Sequence, residues 1–163
     1  GPGSGKFRRM VAAVASEGAG GGALLASLTE LCEALSFCTE DAGGYFPVES
    51  AARALVRLAG AEVASPDEML LAVRAITYLC DAMPRAADAV VRHGLLPVLC
   101  SRLLAIEYLD VAEQAFEKIS LRQPAQCLQA GMITAVLAYI DFFSASIQRV
   151  AVSAVANACK KVP

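Results

Sequence analysis

Six cysteines and one histidine are the residues of this chain best suited to covalent or metal chemistry. They are Cys32, Cys38, Cys80, Cys100, Cys127, Cys159 and His93. A structural zinc site draws Cys and His ligands from short clusters, most often CxxC pairs. No CxxC occurs here and the thiols are widely spaced. A cysteine nucleophile needs a base within hydrogen-bond reach, and the sequence leaves a Cys–His pairing open. His93, however, closes a short apolar stretch directly before Gly94, where an imidazole more often caps a helix or meets solvent. All the cysteines except Cys127 fall within helix-like apolar patterns. They read as reduced thiols in or near a core, with a disulfide or a metal role as minor alternatives. The expected compartment is a reducing one: the nucleus, the cytoplasm, or both.

The remaining chemical candidates are weaker. GPGSGKF at 1–7 suggests a phosphate loop, but the spacing falls one residue short. Phe7 stands where Ser or Thr is needed, and no strand precedes it. Gly1–Ser4 look like the remnant of a cleaved tag. There is no GxSxG. The acidic pairs Glu40/Asp41 and Asp67/Glu68 lie near expected helix ends, where first-turn placement and solvation explain them. The expectation is a chain with no catalytic constellation, no metal and no cofactor, hence not an enzyme by itself.

The chain has 163 residues, of which 56% are apolar and 18% charged, with a net charge of −2. It is too apolar to be a disordered segment. The total charge implies no basic face, so nucleic acid is a poor partner. The most apolar stretch, MITAVLAYIDFF (132–143), is shorter than the ~18 residues a membrane helix needs, and it carries Asp141.

The organisation comes from a repeat. AITYLCDAMP (75–84) returns as AFEKISLRQP (115–124) and AVANACKKVP (154–163), and EALSFCTED (33–41) aligns with them. One column holds Ala34, Ala75, Ala115 and Ala154, at intervals of 41, 40 and 39. The next holds Leu35, Ile76, Phe116 and Val155. A third holds Cys38, Leu79, Ile119 and Ala158, and a fourth, one turn earlier, holds Leu31, Ala72, Ala112 and Ala151. Steps of 3, 1 and 3 mark one face of an α-helix. Before these helices lie the apolar runs AARALVRLA (51–59), GLLPVLCSRLL (94–104) and GMITAVLAYIDFF (131–143). Gly94 and Gly131 are each preceded by a two-turn segment, AADAVVRH (86–93) and PAQCLQA (124–130).

Each unit therefore reads as short helix, Gly, medium helix, longer helix, Pro. Three helices in about 40 residues is the armadillo pattern. One such unit cannot bury its own apolar face; stacking does so and leaves a concave surface. The expected fold is all-α, an armadillo-like α-solenoid, a right-handed superhelix of three-helix repeats. HEAT repeats or a plain bundle are the alternatives. The expected division is a flexible Gly-rich lead-in over 5–22, with FRRM (7–10) as the tail of an upstream helix. A partial first unit follows over 23–45, then full units over 46–84, 85–124 and 125–163. The chain ends at the Pro163 stop without a polar capping helix, which suggests a piece of a longer array. End-to-end self-association of such an array is a further expectation.

The concave surface is the expected working face. Its candidate residues are Phe37, Tyr78, Lys118 and Asn157 in one column, and Glu33, Arg74, Gln114 and Ser153 one turn back. Thr29, Leu70, Asp110 and Arg149 lie a further turn back. Asn157 stands where armadillo cargo adaptors carry a peptide-backbone clamp, a task a carboxamide suits because it both donates and accepts. Only one unit has the Asn and the chain has no Trp, so a generic cargo-adaptor groove is weakly supported. Inter-repeat packing is the bland alternative for Phe37 and Tyr78.

CTED (38–41), MLLAVRAITYLCDAMPRAADAVVRHG (69–94), LCSRLLAIEYLDVAEQ (99–114) and IDFFSASIQRVAVSAVANACKKVP (140–163) carry a more specific signal. Together, over about 24–163, they resemble the N-terminal armadillo-like region of HECT-type E3 ubiquitin ligases. The match is to the KAKTUS-like plant group, whose animal and fungal relatives act in ubiquitin-fusion degradation. The resemblance implies a ligase whose thioester cysteine lies in a HECT lobe far downstream. None of the six cysteines here matches it. It also implies a module that presents a protein substrate or ubiquitin to that lobe; a structural spacer is the alternative. One departure from the family is about three residues missing between Gln114 and Phe116. This would shorten the third long helix and shift Asp110 and Gln114.

Overall fold

The computed structural model describes residues 2–16, 22–38, 46–60, 65–103, 109–131 and 145–160. Every regular element among them is an α-helix. The chain divides into two compact units, Gly1–His93 and Gly94–Pro163.

The first unit opens with α1, Pro2–Ala15. Much of the lead-in expected to be flexible is thus helical. Phe7, Met10, Val11 and Val14 repeat at 3-1-3 spacing, and the last three are buried. α1 packs on α2, Ala23–Ser36, and on α3, Val48–Gly60, and Phe7 meets Phe46 edge-on at 5.1 Å. Glycine content misleads here because the glycines cluster after the helix, at 18 and 20–22. Residues 17–21 lie outside the described residues.

α3 covers the apolar run expected over 51–59 and buries Ala51, Ala52, Ala54, Leu55, Val56, Leu58 and Ala59. α4, Pro66–Ala82, is the long helix of this unit and packs on both α2 and α3. Its start follows local rules. The Ser65 hydroxyl accepts a hydrogen bond from the Glu68 amide, Pro66 takes the first turn, and Asp67 and Glu68 sit at the positive end of the dipole. It stops before Pro84, as expected. The two-turn helix α5, Ala86–Arg92, packs on α3 and α4. It ends at Gly94, whose φ of 89° is a left-handed conformation that glycine adopts without strain.

The second unit holds α6, Leu95–Leu103, α7, Leu109–Ser120, α8, Pro124–Gln129, and α9, Ala145–Lys160. α7 packs on α6, α8 and α9. The short α8 begins at a proline and ends before Gly131, φ 86°. Over the described residues, which leave out 104–108 before α7 and 132–144 before α9, α7 has 12 residues against 17 in α4 and 16 in α9. The apolar run over 131–143 and the Pro163 stop lie almost wholly outside the described residues.

The repeat columns form the core. Leu31, Ala72, Ala112, Leu35, Ile76, Phe116, Leu79, Ile119, Ala75, Ala115, Ala154 and Ala158 are all buried. Ala34, Cys38 and Val155 are half-buried. Among large side chains, Phe116, Leu31, Leu35, Leu55, Ile76 and Leu79 are fully enclosed. The division between units falls inside the repeat expected over 85–124: α5 belongs to the first unit, and α6 and α7 to the second.

Candidate functional site

In the first unit the ladder residues lie on α2 and α4. Phe37, just past α2, is 86% exposed, and Glu33 one turn back is also exposed. Thr29 is exposed, its hydroxyl donating to the Leu25 carbonyl at 2.8 Å. On α4, Tyr78 is 36% exposed, and Arg74 and Leu70 are half-buried. The two helices are tied by Cys32, whose Sγ donates to the Leu71 carbonyl at 3.3 Å. Burial pushes the Cys32 thiol up to about 11, although the positive charge of Arg74 pulls against it. The α2/α4 face therefore carries two aromatic rings, a carboxylate and a guanidinium. A protein surface can grip such a set: the rings supply apolar area with few rotors, and the guanidinium supplies directed donors.

In the second unit the ladder is drawn inward. Gln114 and Lys118 on α7, and Ser153 and Asn157 on α9, are half-buried; Arg149 is exposed. Nδ2 of Asn157 donates to the Glu117 carbonyl and to Ser120 Oγ, both at 3.4 Å. Ser120 Oγ in turn donates to the Glu117 carbonyl at 3.0 Å. Asn157 thus helps satisfy the last turn of α7, where helix carbonyls lack intrahelical partners. Its donor group is committed within the unit. The side chain of Asp110 lies outside the described residues.

The sulfur and histidine candidates take structural places. All six cysteines are free thiols. Cys80 and Cys127 are buried, and desolvation pushes each up to about 12. Such groups stay protonated at neutral pH and make poor nucleophiles. Cys100 Sγ donates to the Ala130 carbonyl at 3.1 Å, and burial raises it as well. His93 follows the last turn of α5, and its Nε2 lies 3.1 Å from Oε2 of Glu49; Arg92 pairs with the other oxygen. The His93 hydrogen bond and the Arg92 charge hold the Glu49 carboxyl below its usual value. Among the described residues no group of three or more His, Cys, Asp and Glu side chains is placed to hold a metal ion. No described helix is long and apolar enough to cross a membrane.

A family described as "E3 ubiquitin-protein ligase TRIP12-like, TPR repeats" matches residues 2–129. The chain belongs to this family of TRIP12-like E3 ubiquitin-protein ligases. It is 48% identical over 163 residues to the E3 ubiquitin-protein ligase UPL3 of Arabidopsis thaliana, covering 98% of this chain and 8% of that protein. UPL4 of the same plant is 56% identical over 141 residues, 85% of this chain and 9% of its own length. TRIP12 of Danio rerio is 38% identical over 141 residues, 85% and 7%. The chain therefore spans less than a tenth of these relatives. Its fold is that of solved armadillo proteins. A designed armadillo repeat protein in complex with peptide (KR)4 superposes with a TM-score of 0.74 over 93% of this chain and 64% of its own, at 23% identity. An engineered protein reaches 0.81 over 96% and 63%, at 18% identity. The family description names TPR repeats, which are helix pairs at a 34-residue period. The periods of 39–41 and the short helices α5 and α8 are armadillo features instead. The resemblance to the N-terminal repeat region of a plant HECT-type ligase thus holds.

Two features of this TRIP12-like chain escaped the sequence reading. Glu113 on α7 is fully buried, and neither carboxylate oxygen has a hydrogen-bond partner. Desolvation pushes it up to about 8. Its signal was in the repeat: the same column holds Cys32, Val73 and Val152, so an acid there is out of place. The second is Glu49, whose pairing with Arg92 and His93 spans 43 and 44 residues and left no local trace.

Proposed function

We propose that this chain is a non-catalytic recognition module of a HECT-type E3 ubiquitin ligase. It holds a protein partner, a substrate segment or ubiquitin, on the ladder face, for ubiquitination by a HECT lobe elsewhere in the protein. It works in a reducing compartment, nucleus or cytoplasm. The observation that carries this reading is the set on α2 and α4: Phe37 at 86% and Tyr78 at 36% exposed, with exposed Glu33 and half-buried Arg74 one turn back. Phe37 in particular is a large apolar side chain that the core of the unit does not use. The peptide held by the designed armadillo neighbour supports the reading by analogy of fold alone.

A spacer role has one specific observation in its favour, confined to the second unit. Asn157 is spent on α7 there, so Gln114, Lys118, Ser153 and Asn157 serve packing in that reading. Titrating the chain with ubiquitin, linked diubiquitin and an unrelated peptide pool tests the module reading. Saturable ubiquitin binding that is lost in Arg74→Glu/Arg149→Glu, with helicity unchanged, supports it. Binding that survives the double variant contradicts the ladder, and no binding to any probe leaves the spacer.

A further inference from the structure

A groove of about 520 Å³ runs between α1 and α2, lined by Lys6, Phe7, Met10, Glu30, Glu33, Ala34, Phe37 and Cys38. Its α2 wall is ordered. Glu30, Glu33 and Ala34 follow at i, i+3 and i+4, one stripe of α2, and Phe37 at the helix C-cap and Cys38 just beyond it complete the wall. The wall changes character along its length, from two exposed carboxylates to an exposed phenyl ring. Phe7 and Met10 of α1 line the other wall. Neither Glu30 nor Glu33 makes an ion pair within 4.0 Å among the described residues, and Lys6 is the sole cation of the lining.

We infer that this groove takes an extended segment of a partner protein in which a large apolar side chain stands two positions from an Arg or Lys. The charge balance decides the sign of the guest: two acids face one base, so a cation gains and an anion is repelled. The spacing decides the register. Glu33 lies in the last turn of α2 and Phe37 is its C-cap, four residues on, about 6 Å away at the helical rise. Side chains on one face of an extended peptide recur every second residue, at ~6.6 Å. An apolar side chain set on Phe37, Phe7 and Met10 therefore brings a basic residue two positions away over Glu33, with Glu30 one turn beyond. The exposed ring of Phe37 also favours an arginine at its face. The inference deepens the ladder reading and rests on it, through the shared residues Glu33 and Phe37, but adds a wall, a guest chemistry and a register.

The test is fluorescence anisotropy with a labelled peptide Arg-Ser-Phe-Ser-Arg-Ser-Phe. Controls carry Glu in place of Arg, or have the same residues reordered so that Arg and Phe adjoin. The expected result is saturable binding of the first peptide, at least tenfold weaker for each control. Binding falls at least tenfold in Glu30→Gln/Glu33→Gln and in Phe37→Ala, and weakens with added salt. Both variants alter exposed side chains, so circular dichroism and melting should match the wild type. Equal binding of the acidic control, or binding unchanged by Glu30→Gln/Glu33→Gln, overturns the inference, as does no binding at all. The ladder reading fails separately. Arg74→Glu lies on α4, outside the groove lining, and leaves this peptide's binding within about twofold whether or not it abolishes ubiquitin capture.

Discussion

Tyr78 and Asn157 occupy the same position two repeats apart, yet they sit in different surroundings. Tyr78 on α4 presents its ring to solvent; Asn157 on α9 reaches back to the end of α7. The neighbouring column separates the two units again. In the first unit it holds Cys32, which donates to a carbonyl, and buried Val73. In the second it holds Glu113, an enclosed carboxyl with no partner among the described residues, and Val152, which is 60% exposed. The same helical scaffold thus leaves Phe37 and part of Tyr78 exposed in the first unit. In the second it draws polar groups into the interior. A periodic pattern fixes which positions face which way. The residue placed there decides whether the position faces solvent, ties two helices together, or buries a polar group.

The largest expected effect is the pH response of Glu113. Burial raises its carboxyl to about 8 in the folded chain, against 4.5 for a free glutamate side chain. The folded state therefore holds its proton more tightly than the unfolded state does. The contribution is fully present below about 4.5 and is lost as pH rises through about 8, a change of up to ~5 kcal/mol. Melting curves between pH 5 and 9 should show stability falling with pH. In Glu113→Gln that fall should be largely absent. An unchanged slope in the variant would place the pH response elsewhere.

The next effect separates the matched pair. Asn157→Ala should cost about 1 kcal/mol, because it removes a donor from the α7 terminus and leaves polar atoms short of a partner. Tyr78→Phe, which keeps the covered part of the ring and removes only the hydroxyl, should change stability by less than about 0.5 kcal/mol. Urea unfolding of the two variants side by side would break the comparison if Tyr78→Phe proved the costlier.

An effect of similar size should be shared by both units. Gly22 and Gly131 have φ of 84° and 86°, and nothing lies within 4 Å of a Cβ built on either. Alanine there meets backbone strain without a clash, roughly 1 kcal/mol at each site. Clearly unequal losses in thermal melts would show that the two turns differ by more than conformation.

The smallest effect concerns Glu49. Its carboxyl is lowered by the His93 hydrogen bond and the Arg92 charge. A lowered pKa contributes stability above the unfolded value and loses it as pH falls. The site is open to solvent, so the change is slight. Glu49→Gln should leave melting at pH 7 nearly unchanged and remove a small dependence below pH 5, read by the His93 imidazole shifts in NMR.

Much of the fold was legible because it is periodic. Ala72, Ala75, Ile76 and Leu79 announce a buried helical face by spacing alone, and Pro84 and Gly94 punctuate it. Every described member of those columns is buried or half-buried. α1 was harder to read. Its apolar face spans four residues, and the glycines after it suggested a linker. What covers that face, α2 and α3, is known only from the fold. The ladder positions could be placed, but spacing could not say which of them would turn inward. Asn157 finds Glu117 and Ser120 across 40 and 37 residues of chain. Glu113 was readable in principle, as the one acid in an otherwise apolar or thiol column.

The most direct test is to measure the affinity of ubiquitin for two variants by isothermal titration calorimetry. One alters the first unit, Arg74→Glu/Tyr78→Ala; the other alters the second, Arg149→Glu/Asn157→Ala. The account predicts a loss of tenfold or more in the first and a markedly smaller loss in the second, with circular dichroism unchanged in both. Equal losses, or a greater loss from the second unit, would contradict the assignment of recognition to the α2/α4 face.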